Sequence, residues 1–419
     1  VYICINKCRY SDTSNRVNIH NALPKKCITQ IYKRLFEMKI GILTQPLQAN
    51  YGGLLQNYAL QQTLIRAGHE VETIDWGCPK SLRAELYRMK LQFLATWFQS
   101  QYPEVRYQPS KKELATIWRN TNHFIDAYLN HTVPMHSLKE FHHQANIGKY
   151  DAFVVGSDQC WRPCYNSFLS SMFLEFANDM DVKRISYAAS FGTDKWEFSP
   201  QQTAVCASLA QKFDLVTVRE DSGVTLCKDY LGVDAVHVLD PTMLLSKEDY
   251  IQIIEKEQEP KSDGTLFNYI LDPDAKKSTF IDKVAQENVL KVFQVLPKCQ
   301  AETRTRKDVK SRIDDCVFPG VSTWLRAFMD AEMTVVDSFH GMVFSIIFNK
   351  PFWVIGNAHR GMSRFTSLLK VFHLENRLLD ASGLDDVDLS QSIDWESVNE
   401  ILKEKQKECK LLLLNSLNE

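Results

Sequence analysis

The sequence predicts an α/β protein made of two Rossmann-like domains facing a central cleft. Three observations lead there. The chain has 419 residues, more than one ordinary core accommodates, so two domains of roughly 150–200 residues each are expected. Short β-branched runs alternate with longer segments of helical period along most of its length. In both halves, glycine and short polar residues follow the predicted strands, at the turns where open α/β sheets bind their ligands.

Hydrophobic residues make up 44% and charged residues 24% of the chain, the balance of a soluble globular protein. The formal net charge of -2 supplies no basic field for nucleic acid. No apolar run reaches the length of a membrane span, and the start lacks the charged, apolar and small-residue order of a secretory signal. A cytoplasmic protein is expected, in a composition compatible with work close to a membrane. The 11 cysteines are odd in number and scattered from Cys4 to Cys409, which favours reduced thiols over a disulfide scaffold. Cys4 and Cys8 share a spacing with Cys160 and Cys164, but neither pair has a histidine or cysteine partner at zinc-finger spacing, so no metal is expected.

Residues 1–37 are polar and without period, and read as an N-terminal extension upstream of a start at Met38, with a small separate lobe as the alternative. From Lys39 the pattern is clear: a strand over Ile40, Ile42 and Leu43, a loop from Gln45 to Gly53, then a helix from Leu54 to Ala67 closed by Gly68. Val71 to Trp76 forms the next strand of a β-α-β start. The loop Asn50, Tyr51, Gly52 and Gly53 lies where strand passes to helix. Paired glycines there admit a ligand to the backbone and its amides, or merely make a turn. Lys80 to Asn146 reads as two or three inserted helices, the expected acceptor-recognition surface, and its His142 and His143 read as solvated. Ala152 to Val155 is a buried strand running into Gly156, Ser157 and Asp158. Ser157 and Asp158 offer a donor and an acceptor to a cleft, or form an Asx-type turn. Two further strands follow, Ile185 to Ala189 and Leu215 to Val218, the second ending at Arg219. A strand-terminal arginine can fork onto phosphate or carboxylate, or pair with Glu220 or Asp221.

Ala235 to Leu239 is a strand closing on Asp240, Pro241 and Thr242, a turn that ends the first domain. After a charged linker from Lys256 to Gly264, strands over Leu266 to Leu271 and Val292 to Val295, with a helix over Phe280 to Glu287, rebuild the β-α-β pattern. A helix over Thr323 to Asp330 leads to the stretch Glu332 to Gly356. It contains a strand, the helix-start residues Asp337 and Ser338, a short apolar helix and a second strand. His340 and Gly341 stand at that strand-to-helix turn, where free amides and the helix dipole favour an anion, although packing or capping is the ordinary role of a histidine there. A final helical region runs from Ile393 to Leu417. The chain thus divides into 1–37, 38–245 with a helical insert at 80–146, 246–380, and a helical tail at 381–419.

Assembled, these segments resemble the polysaccharide pyruvyl transferase family, from Met38 to about Arg377. The matching features are N-Y-G-G with its L-Q-N-Y-A-L helix (Asn50 to Leu60), G-S-D-Q-x-W (Gly156 to Trp161) and V-R-E followed by Ser222. D-P-T (Asp240 to Thr242), D-S-F-H-G (Asp337 to Gly341), K-P-F (Lys350 to Phe352) and Arg364-Phe365 complete them. The resemblance implies a GT-B glycosyltransferase type of fold and transfer of a pyruvyl group from phosphoenolpyruvate to two hydroxyls of a sugar, giving a cyclic ketal. It implies His340 as the catalytic histidine and Arg219 as a phosphoenolpyruvate-binding arginine. Some members have R-L-H where this chain has Ser338-Phe339-His340, so another cation, Arg364, Arg360 or Lys350, is expected to complete the anion site.

Ketal formation needs a proton for the methylene carbon, attack by one sugar hydroxyl, loss of phosphate and attack by the second hydroxyl. His340 is the expected acid, Arg219, Arg364, Ser338 and Gly341 the expected donor-binding set, and Asp158 a carboxylate to take a proton or position the sugar. The helix dipole opposes a charged imidazole, a bias that a bound trianionic donor reverses. No cofactor is expected beyond phosphoenolpyruvate as co-substrate. The acceptor is lipid-linked, nucleotide-linked or polymeric. Two rival readings are a glycosyltransferase using a nucleotide-sugar in the same cleft and a non-catalytic sugar-binding member.

Overall fold

A computed structural model describes residues 37–76, 86, 87, 89–91, 93, 94, 109–166, 168–299, 306–356, 361–380, 383, 384 and 387–418. Residues 1–36 of the expected extension, most of 80–108, the Cys4 and Cys8 pair and Arg360 lie outside them.

The first domain is a parallel sheet of β1 (Lys39–Leu43), β2 (Glu70–Thr73), β3 (Ala152–Val155), β4 (Lys183–Ala189), β5 (Leu215–Val218) and β6 (Val236–His237), in the order β2-β1-β3-β4-β5-β6. Helix α1 (Tyr51–Arg66) joins β1 to β2. Its N-cap is Asn50, whose side chain accepts from Gly53 N at 3.2 Å, and beyond its end Gly68 takes φ +101 in the left-handed region. The insert contributes α2 (Lys111–Ile117), α3 (Arg119–Tyr128) and α4 (Leu138–Ile147). It docks on the other domain: Phe318 N donates to Ile117 O at 3.0 Å, and Arg119 pairs with Asp314 at 2.9 Å. His142 is half-buried between Phe141 and Phe176, not solvated, because α4 packs those aromatics against β3. Helices α5 (Pro200–Ala210), opened by a Ser199 capping box, and α6 (Asp221–Leu226) complete the unit.

The second domain follows α7 (Lys247–Lys256). Its parallel sheet has the order β11-β10-β9-β7-β8, from β7 (Leu266–Tyr269), β8 (Val292–Phe293), β9 (Met333–Val336), β10 (Phe352–Ile355) and β11 (Leu378–Leu379). Between them run α8 (Ala275–Glu287), α9 (Arg306–Ser311), α10 (Val321–Asp330), α11 (Phe339–Ile347) and α12 (Ser363–Val371). Every residue of α11 is buried, as an all-round apolar helix requires. Ser338 caps its start, and Asn349 ends it at φ +54.

The largest core cluster spans both units, from Ile40 and Tyr187 to Trp324 and Phe344. It includes Leu413 and Leu417 of the last helix, α13 (Trp395–Asn418), which returns to the first domain. There Gln406 Nε2 donates to Met243 O at 2.6 Å and the Cys409 Sγ accepts from Leu239 N at 3.5 Å. Both sheets present their carboxyl ends to a common cleft, the place where a doubly wound sheet binds ligands.

Candidate functional site

A cavity of about 360 Å³ opens in this cleft, walled by Asn50, Gly52, Asp158 and Tyr165 from one side and Tyr269, Trp324, His340 and Arg364 from the other. His340 is the point of contact. It lies in the first turn of α11, 9% exposed, and its Nε2 has no hydrogen-bond partner among the described residues. Asp240 Oδ2 stands 3.6 Å from that nitrogen, too long for a hydrogen bond but close enough for an ion pair once the ring is protonated. A Cβ on Gly52 would fall 2.0 Å from His340 Nδ1. Gly52 therefore admits the imidazole of the opposite domain, and the expected ligand contact at this glycine is a contact with His340.

Asp240 is fully buried and organises the floor. Oδ2 accepts from Arg219 Nη1 at 3.0 Å and Ser157 Oγ at 3.1 Å, while Oδ1 accepts from Thr242 N at 3.0 Å and Thr242 Oγ1 at 2.7 Å. Burial would raise its carboxyl, but His340, Arg219 and Thr242 outweigh burial and hold it far below the ordinary aspartate range. Sequence reasoning assigned Asp240 only a turn. A carboxylate in a D-P-T turn after a strand carries no local sign of the histidine 100 residues away.

Arg219 is not at the cavity surface. Its side chain is 1% exposed and meets Asp240 at 3.0 Å, Asp158 at 3.4 Å and Glu220 at 3.5 Å. These carboxylates overcome the effect of burial and keep it charged. Of the two options at this strand end, carboxylate pairing is the one adopted, because three acids converge on a site that water does not reach. Glu220 itself goes the other way: burial raises its carboxyl more than Arg219 and its hydrogen bond from Ser190 lower it.

Arg364, near the start of α12, is the arginine in the cavity wall. Burial, and then the charge of Arg219, push its guanidinium down to about 10. Phe339 lies between the two arginines, 4.4 Å from Arg219 and 5.9 Å from Arg364. Such a pair of cations favours an incoming anion. Lys350 does not fill this place, since its Nζ donates to Met329 O at 2.9 Å beyond the far end of α11.

Asp158 also faces the cavity, with φ +68, an uncommon conformation for a residue with a side chain. Asn50 Nδ2 reaches its Oδ2 at 3.4 Å and its Oδ1 accepts from Gln159 N at 2.9 Å. Burial would raise it, yet Arg219, His340 and Arg364 hold it below the usual range. The remaining expected residues have structural partners. Tyr51 is buried, stacks on Trp324 at 5.6 Å and donates to Pro319 O at 2.9 Å, joining the domains. Ser157 is buried beneath the cavity, its amide donating to Gln56 Oε1 at 2.7 Å. Ser338 Oγ accepts from Gly341 N at 3.1 Å, so that amide is taken by the cap, and a Cβ on Gly341 would lie 2.8 Å from the same Oγ. Gly53 has the Asn50 side chain 2.9 Å from where its Cβ would be. Trp324 and Tyr269, in the wall, were not singled out, since aromatic residues in a helix and a buried strand carry the ordinary signature of core.

Two Rossmann-like domains meeting at the carboxyl ends of parallel sheets, with a histidine of one against a carboxylate of the other, define a two-domain α/β protein of the GT-B arrangement. The chain matches the polysaccharide pyruvyl transferase family over residues 50–359 and belongs to that family. No curated protein sequence matches it. Among solved structures it is similar to Arabidopsis thaliana UGT89C1 complexed with UDP-L-rhamnose (10% identity, 91% of this chain and 99% of that chain covered, TM-score 0.48). It is also similar to Methanocaldococcus jannaschii UDP-GlcNAc 2-epimerase in complex with UDP-GlcNAc and UDP (10% identity, 88% and 99% covered, TM-score 0.44).

Proposed function

We propose that this protein transfers pyruvate from phosphoenolpyruvate to a pair of sugar hydroxyls, forming a cyclic ketal in the biosynthesis of a surface polysaccharide or exopolysaccharide. The reading is supported above all by His340, whose Nε2 is buried and unpartnered among the described residues in a cavity that also presents Arg364. In this scheme Arg364 holds an anionic end of the donor and Arg219 acts through its charge from behind the wall. His340 delivers a proton to the methylene carbon, with the Asp240 carboxylate beside its Nε2. One sugar hydroxyl then bonds to the adjacent carbon, phosphate leaves with the carbon–oxygen electron pair, and the second hydroxyl closes the ketal. Of the two hydroxyl protons, one restores His340 and the other leaves with phosphate, so phosphoenolpyruvate and the diol give the ketal and inorganic phosphate. Asp158 positions an acceptor hydroxyl. No metal-binding group of His, Cys, Asp and Glu occurs among the described residues, and none is required by these steps. No helix among them is long and apolar enough to cross a membrane. A cytoplasmic enzyme acting on a lipid-linked or polymeric acceptor is our reading.

The test is mass spectrometry of candidate lipid-linked sugars and glycans incubated with phosphoenolpyruvate. A pyruvate-ketal mass gain with matching phosphate release is expected, and His340→Ala should abolish both while its melting temperature stays near that of the unaltered protein. Near-normal turnover by His340→Ala would remove the acid role. Transfer from a nucleotide-sugar, or glycan binding without phosphoenolpyruvate affinity, would replace the reading altogether.

A further inference from the structure

Phe339, just before His340, lies against Arg219 and Arg364, and Phe344, one turn after it, packs on Trp324, so two chemically different ends flank the histidine. One is charged, with Arg364 and Asp158. The other is mainly aromatic, formed by Tyr269, Leu271 and Trp324, with the Asp337 carboxylate beside them held by Leu271 N and Lys277 Nζ. The faces and edges of Trp324 are largely used: Tyr51 stacks on it at 5.6 Å, and Tyr269, Phe328 and Phe344 pack edge-on at 5.4, 4.7 and 5.0 Å. Its indole Nε1 is buried and has no hydrogen-bond partner among the described residues. A buried tryptophan nearly always satisfies that donor, because leaving it bare forfeits a hydrogen bond to water. Trp161, equally buried, donates its indole N–H to Met172 O at 2.9 Å, which shows the ordinary arrangement in this same protein.

We infer that the aromatic end is the acceptor subsite, a pocket for a pyranose ring, in which the Trp324 indole N–H donates to a sugar oxygen. This rests on pyruvyl transfer as the reaction. With the anionic donor held at Arg364 and its methylene carbon at His340, the second substrate has to approach from the other side of the imidazole. Apolar and aromatic walls suit the C–H face of a sugar, and a single fixed donor suits one hydroxyl or ring oxygen. A trianionic donor would gain nothing from Leu271. Acceptor recognition is thereby assigned to β7 and α10, in addition to the inserted helices.

The experiment follows the indole N–H directly. The protein has 8 tryptophans, few enough for their ¹⁵N-labelled indole resonances to be resolved. The Trp324 signal is identified by its loss in Trp324→Phe, or, should that variant fail to fold, by contacts of the indole proton with the Tyr269 ring. Methyl glycosides of galactose, glucose and mannose are titrated into the full chain saturated with phosphoenolpyruvate. At least one glycoside is expected to shift the Trp324 resonance, with phosphoenolpyruvate alone leaving it in place. A folded Trp324→Phe should also raise the acceptor KM about tenfold, the loss of one hydrogen bond, with the donor KM unchanged. A shift with phosphoenolpyruvate and none with any glycoside would overturn the assignment, as would a resonance that neither moves. A glycoside-dependent shift in a protein that makes no ketal would keep the subsite and reject the chemistry, so the two can fail separately.

Discussion

At the scale of single residues, three acids of similar burial behave differently because of what surrounds them. Asp240 and Asp158 are held below the ordinary aspartate value of 3.8, so the folded protein binds fewer protons there than the unfolded chain. The stability they supply is complete above that value and is lost as pH falls through their folded-state values. Glu220 is raised above its ordinary 4.5 and has the opposite sign, its protonation favouring the fold as pH falls through its raised value toward 4.5. Asp240→Asn should therefore cost about 3–5 kcal/mol at pH 7, the loss typical of breaking a buried ion pair, yet lose less than the unaltered protein between pH 7 and pH 3. Glu220→Gln should be neutral or stabilising at pH 8, within about 1 kcal/mol. Denaturant melts at these pH values check both, and a strongly destabilised Glu220→Gln would contradict the assignment of its charge. Arg364→Gln should weaken phosphoenolpyruvate binding by about a hundredfold in calorimetry, the scale of a charge-assisted hydrogen bond lost in a buried site. The turn that carries His340 is legible in the sequence as a strand followed by helix-start residues, while the role proposed for the histidine comes from the family resemblance and not from any local signature. The neighbours that give it chemical character come from residues far along the chain and leave no such mark.

At the scale of elements, α1 and α11 meet through their first turns, at Gly52 and His340. The sequence shows a strand-to-helix turn before each and starts α11 at its Ser338 cap as found, but it starts α1 at Leu54, three residues after Tyr51, because the paired glycines read as loop. What it misreads is the partner of the glycine, because a missing Cβ records only that something approaches closely, not what. Gly52→Ala should cut kcat by about a hundredfold, since an imidazole displaced by about 1 Å is enough for that loss, with helix content by circular dichroism unchanged. A fully active Gly52→Ala would mean that α1 can retreat without disturbing the site. Ser338→Ala separates capping from ligand binding. It should cost about 1 kcal/mol of stability while leaving phosphoenolpyruvate affinity within twofold, and a large loss of affinity would return Ser338 to the donor site.

At the scale of the whole molecule, the α/β class follows directly from the alternation of strand and helix patterns, whereas the order of the strands does not. Hydrophobic period fixes which face of an element is buried but not its neighbour, so the placement of β3 beside β1, and of β9 between β10 and β7, is visible only in the folded chain. The tail illustrates the same limit. Its sequence announces a helix of mixed charge able to pack back across both domains, and the structure shows which residues of the first domain α13 covers. Leu413 is fully buried there, so Leu413→Ala should cost about 2–5 kcal/mol in a urea melt, although it lies far along the chain from any site residue. A loss below 1 kcal/mol would show that the tail is dispensable to the core.

The contact between Gly52 and His340, with Asp240 beside it, also bears on economy of substrate. Under the proposed reaction, phosphoenolpyruvate protonated without an acceptor would be consumed to no purpose. The proposed acid is carried by one half and its counter-charge by the other, so neither half alone holds the pair that would spend the donor.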